Sequence, residues 1–144
     1  MNSSNDERNI DSRKELSEYR LEKAHNCLKA AKALLEIELY EDAANRAYYC
    51  IFHSVRSLLA LEGVEFKRHS GNVSYFREKY IKTGIFDKSL SVILGDAFTV
   101  RSDSDYEDFA VISKSDVTAQ VANAEFFYNT VRSYLCNNSG APKS

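Results

Sequence analysis

Apolar residues recur along this chain in alternating steps of three and four, the period of a helix with one buried side. Between about Arg13 and Leu39 the stripe is Leu21, Ala24, Leu28, Ala31 and Leu35, and Ser12 with Glu15 reads as its capping box. A second stripe, Ala44, Tyr48, Ile51, Val55 and Leu58, predicts a helix over roughly Glu41 to Glu62 that Gly63 closes. Residues 63–70 read as a connector, followed by a shorter helix carrying Val73, Phe76, Tyr80 and Ile81 and stopping at Gly84. A fourth helix starts near Asp87 on a seam of Leu90, Leu94 and Ala97, widened by Ile93 and Val100, and runs to about Arg101 or a little beyond. Residues 102–113 read as a polar break. The last helix begins between Ser113 and Ser115 and sets Val117, Val121, Ala124, Tyr128, Val131 and Leu135 along one side. Seams joined by short connectors describe an all-α, antiparallel bundle of about five helices. It spans residues 13–136, between loose polar tails at 1–12 and 137–144.

Composition supports this outline. A chain of 144 residues has room for one core. One proline and five glycines are too few for the many turns of a sheet protein. The net charge of -2 lacks the basic excess of a sequence-independent nucleic-acid binder, so any contact with RNA or DNA must use a local patch. Cys27, Cys50 and Cys136 form no C-x-x-C pair, which argues against a zinc site or a disulfide framework, and Cys50 reads as a small buried hydrophobe. The polar N-terminus has no signal-peptide core, and no apolar run is long enough for a membrane span. These features predict a cytoplasmic protein without a membrane partner.

Polar groups intrude on the pattern in three places. On the second helix, Asp42, Arg46, Tyr49, His53 and Arg56 share an arc of about 80°, apart from the apolar arc. One reading is a solvated face with pairs such as Asp42 and Arg46; the other is a binding face, since Arg and Tyr are residues that interfaces favour. On the fourth helix, extending the seam by one turn lands on Arg101, followed by Ser102-Asp103-Ser104-Asp105-Tyr106-Glu107-Asp108. Arg101 either pairs with Asp105 or binds an anion beside a carboxylate and a phenol. Thirdly, Lys67, Arg68, Arg77, Lys79 and Lys82 are interleaved with Tyr75, Phe76 and Tyr80. These groups form either a phosphate-and-base platform or ordinary core aromatics beside surface cations. An EF-hand starting at Asp103 would require Gly and Glu where Asp108 and Lys114 stand, and the three histidines are far apart. No metal or cofactor is expected.

Three segments occur in a telling order: Asn45-Arg46-Ala47-Tyr48-Tyr49-Cys50-Ile51-Phe52-His53, then Lys67-Arg68-His69-Ser70-Gly71, then Arg101-Ser102-Asp103-Ser104-Asp105-Tyr106. Together they resemble the small stand-alone prokaryotic branch of the HEPN domain family, over about residues 16 to 135. The resemblance implies a four- to five-helix bundle that forms a homodimer. It further implies a component of a toxin–antitoxin or nucleotidyltransferase-linked system that binds RNA or nucleotide. Many such proteins are metal-independent endoribonucleases, in which an Arg stabilises charge on the scissile phosphate and a following His exchanges a proton as the 2′-OH attacks.

By that resemblance Arg101, Asp105 and Tyr106 are the catalytic candidates, and Arg46, Tyr49, His53 and His69 the binding candidates. Tyr106 stands where a partner nucleotidyltransferase modifies a tyrosine in some relatives. The active members carry an Arg, four to six residues, then a His; here the string after Arg101 offers Asp105, and no His follows Arg101 anywhere in the chain. An ordinary Asp titrates near 3.9, so it can accept a proton but is a poor acid for the leaving group. His53 or His69 can supply the imidazole only if the fold brings one to Arg101. The alternative is a non-catalytic helical interaction or dimerisation module.

Overall fold

The computed structural model describes residues 3–106 and 112–138, with side chains for residues 9–99 and 112–138. Five α-helices follow one another: α1 (Ser3–Glu36), α2 (Tyr40–Leu61), α3 (His69–Phe76), α4 (Lys88–Tyr106) and α5 (Lys114–Asn138). Among the described residues there is no strand. The all-α bundle is therefore the architecture, with α2 at its centre, packed against α1, α3, α4 and α5.

The seams become the core. On α2 the apolar arc is buried from Ala44 to Leu59, and on α5 every residue of the predicted stripe from Val117 to Leu135 is buried. From α1 come Ala24, Leu28 and Ala31, and from α4 Leu90, Leu94 and Ala97. Small residues on α1 and α2 (Ala24, Ala31, Ala43, Ala44 and Ala47) let those two helices lie close along their length. An aromatic cluster of Phe76, Tyr80, Phe86, Phe127 and Tyr134 fills the end where α3 and α5 meet. Each fully buried large side chain contributes about 1.5–3 kcal/mol of burial.

Helix ends follow backbone chemistry. After α2, the Gly63 N–H reaches the Ala60 carbonyl and the Val64 N–H the Leu59 carbonyl. This is a Schellman closure with Gly63 at φ 73°. The end of α1 closes the same way, Glu38 N–H to Leu35 and Leu39 N–H to Leu34, but the left-handed residue is Glu38 at φ 65°. After α3 the chain widens into one π-helical turn, Arg77–Ile81, where the Lys82 N–H reaches back to the Arg77 carbonyl.

The structure moves several predicted boundaries. Residues 3–12 are helical and not a loose tail, so Ser12 and Glu15 lie inside α1 and cap nothing. Once a packed helix is nucleated, each further residue adds a hydrogen bond. The predicted break after Arg101 is helical through Tyr106. Its Ser and Asp residues lower helix propensity, but no Gly or Pro stops the helix there. Residues 107–111, and the predicted tail beyond Asn138, lie outside the described residues. The third helix begins at His69, within the predicted connector.

Candidate functional site

The two arcs of α2 have different fates. The apolar arc is core, whereas Arg46, Tyr49, His53 and Arg56 are half-buried at the edge where α2 meets α1 and the start of α3. Asp42, by contrast, is exposed and forms no ion pair with Arg46; that arginine bonds the Asn45 side-chain oxygen at 2.7 Å. The pairwise solvated face is thus not what forms.

Tyr49 is the hub of what does form. The Arg46 guanidinium lies 5.2 Å from its ring centre, the His53 ring 5.9 Å, and the His69 ring 6.4 Å edge-on. Contacts of this type are each worth about 0.5–1.5 kcal/mol when partly desolvated. The structure therefore brings together Arg46, Tyr49, His53 and His69, three from one helix and one from the next.

The two imidazoles differ. His53 faces α1, and its Nδ1 is buried with no hydrogen-bond partner among the described residues. Burial first, then the charges of Lys23, Arg56, Arg46 and Arg20, hold its pKa down to about 4. It is a neutral ring among cations. His69 opens α3 and is fixed on two sides. Its Nδ1 is 2.7 Å from the hydroxyl of Tyr48, and its ring stacks on Phe52 with centres 4.0 Å apart. A hydrogen bond at one ring nitrogen couples the tautomer to that partner and hence the proton at the other nitrogen.

His69 is also the wall between two clefts. The larger, about 430 Å³, is lined by Phe52, Arg56, Glu65, Phe66, Lys67, His69 and Asn72. The second, about 290 Å³, runs between α3 and α4 and is lined by His69, Val73, Arg77, Leu94, Gly95 and Phe98 among others. Arg77 fastens it through Nε to the Ser91 hydroxyl at 3.0 Å, and His69 and Phe98 also line it. Arg101 follows Phe98 by three residues, and α4 stays helical, so its position continues the Leu90, Leu94 and Ala97 face beyond His69. The side chains of Arg101, Asp105 and Tyr106 lie outside the described residues.

The basic stretch from Lys67 to Lys82 does not form one surface. Phe76 and Tyr80 are core, Arg77 turns toward α4, and Lys82 pairs with Glu78 at 2.9 Å. Lys67 borders the larger cleft and Arg77 the second. Pattern reading passed over Tyr48, Phe66, Glu65 and Arg20. Tyr48 was legible, since a tyrosine on an apolar seam must bring its hydroxyl to a partner. Arg20, at 7% exposure, spans from α1 to the Arg56 carbonyl at 3.2 Å and to Glu65 at 2.6 Å, a link that no local spacing reveals.

Comparison with known proteins gives a consistent answer. Residues 17–134 match the HEPN domain family. A "UPF0332 protein" of Thermotoga maritima is 30% identical over 126 residues, covering 88% of this chain and 96% of that protein. Two proteins of Methanocaldococcus jannaschii are also similar. "Putative toxin MJ0142" is 31% identical and covers 83% of this chain and 81% of its own length. "Putative toxin MJ0605" is 31% identical, with 88% and 93% covered. Among the described residues, no helix is long and apolar enough to cross a membrane, and no cluster of three His, Cys, Asp or Glu could hold a metal ion.

Proposed function

This chain belongs to the HEPN domain family, and we propose that it is a toxin-like cytoplasmic member that binds RNA and cleaves it without a metal ion. In this reading Arg101 stabilises the charge that builds on the scissile phosphate, and an imidazole takes the proton of the attacking 2′-OH. Asp105 is a second proton acceptor, and Tyr106 is the residue a nucleotidyltransferase partner would modify. The protein works as a homodimer, with that nucleotidyltransferase as its antitoxin.

One observation carries the reading: His69, held by Tyr48 and stacked on Phe52, borders a cleft whose α4 wall includes Phe98, three residues before Arg101. A chain with no His after Arg101 thereby has an oriented imidazole beside the same helix. His53 is the weaker candidate, because its depressed pKa makes it a poor proton acceptor. Similarity to two relatives whose names call them putative toxins supports the toxin-like part.

The test is incubation of the purified protein with RNA in EDTA. Cleavage by the wild type, lost in Arg101→Ala and in His69→Gln with the fold intact, is the expected result. A second reading, RNA or nucleotide binding without cleavage, is favoured by the lack of any His after Arg101 in the sequence. Tight binding with no product from the wild type would decide for it.

A further inference from the structure

Phe66 is an exposed aromatic that is nonetheless held still. Its ring packs against Tyr75 with centres 5.7 Å apart, and its carbonyl accepts a bond from Asn72 Nδ2 at 3.2 Å. A Cβ on Gly71 would meet the Phe66 side chain at 3.0 Å, so only glycine allows this approach without displacing the ring. A loose surface phenylalanine has no need of three restraints. A stacking platform does, because ordering the ring in advance removes that cost from binding. Phe66 is 37% exposed and lies on the wall of the larger cleft.

Next to it, Glu65 is fixed as a carboxylate. Arg20 at 2.6 Å and Arg56 at 3.0 Å both donate to the same oxygen, Oε1, and hold the carboxyl below its ordinary range. Among the described residues, Oε2 receives no donor. An ionised carboxylate only accepts hydrogen bonds, so its outer edge selects a ligand that presents donors. Lys67 and Arg56 on the same walls supply positive charge for a phosphate. The volume, about 430 Å³, is within the ordinary range for small-ligand sites.

We propose that this cleft binds an unpaired guanine of an RNA strand, its ring stacked on Phe66 and its N1–H and N2–H edge turned to Glu65. The proposal rests on the RNA reading above and adds a base preference to it. Guanine is the base with two adjacent donors on its Watson–Crick edge; uracil places carbonyl oxygens on both sides of its one donor, which a carboxylate repels. Single-stranded RNA is read in this way, by stacking on a ring and hydrogen bonds to the exposed edge. The position suits a strand, since His69 forms a wall of both this cleft and the one running along α4.

The test is fluorescence anisotropy of the full chain with labelled RNA pentamers UUGUU and UUUUU, and with GMP as competitor. UUGUU should bind about tenfold more tightly than UUUUU. Phe66→Ala should weaken both pentamers by roughly tenfold, and Glu65→Gln should remove most of the preference, with UUUUU bound no more weakly than by the wild type. Glu65→Gln keeps the side chain's size, so it carries the test if Phe66→Ala fails to fold. Equal binding of the two pentamers overturns the guanine site and leaves the RNA reading standing. No binding of either pentamer at low salt overturns both. GMP competing as tightly as UUGUU itself would reassign the cleft to a free nucleotide and overturn the strand proposal.

Discussion

Tyr48, 1% exposed in the middle of α2, places its hydroxyl 2.7 Å from Nδ1 of His69, the first residue of α3. The bond joins the core to the surface. The phenol is a core residue whose polar tip has a partner, and the imidazole it orients lines both clefts.

Tyr48→Phe and His69→Gln should each destabilise the fold by about 1 kcal/mol, the net value of one such hydrogen bond. Measured by urea denaturation, the double variant should lose clearly less than the sum of the two. Additive losses would show that the two side chains do not couple.

Phe76 is fully buried and touches the rings of Tyr80, Phe86 and Phe127. Phe76→Ala should cost about 3–5 kcal/mol, transfer and cavity together, a large part of a typical domain's stability of about 5–15 kcal/mol. Thermal unfolding followed by circular dichroism reads the change. A drop of only a few degrees would mean that the cluster collapses into the space.

His53 should make the protein less stable as pH falls. Its pKa is about 4 in the folded chain against an ordinary 6.5, so the unfolded state takes up a proton that the folded state refuses. The His53 contribution is therefore complete above pH 6.5, is lost as pH falls toward 4, and changes no further below that. Urea midpoints of wild type and His53→Gln, compared across this window, isolate it from the carboxylates. Parallel curves would show that the imidazole titrates normally.

Glu38 closes α1 in the left-handed region at φ 65°, a conformation that costs a side-chain-bearing residue about 1–2 kcal/mol. Glu38→Gly should raise stability by roughly 0.5 kcal/mol or more, since glycine relieves the strain but gives the unfolded chain more freedom. The shift in melting temperature checks the sign. Gly63→Ala, at φ 73° and with the Arg13 side chain against the new Cβ, should lower it.

The sequence by itself determined the bundle. A period of three and four places Ala44, Tyr48, Ile51, Val55 and Leu58 on one side of any helix they form, because the repeat is a property of the local backbone. It also carried the family motifs, and the four binding candidates on or beside α2 do lie together around Tyr49. Helix ends were less legible: both the run from Ser3 and the continuation to Tyr106 depend on propagation, which polar residues permit without signalling it.

Only the tertiary structure decided what each polar group became. Two histidines on neighbouring segments look alike in sequence. The packing of α1 sets cations around His53, and the turn into α3 lays His69 on Phe52 and Tyr48. Likewise, Glu65 is a fixed carboxylate because Arg20, 45 residues away, reaches it from α1. Such contacts join residues that no helical repeat relates, and burial and charge follow from those neighbours rather than from residue type.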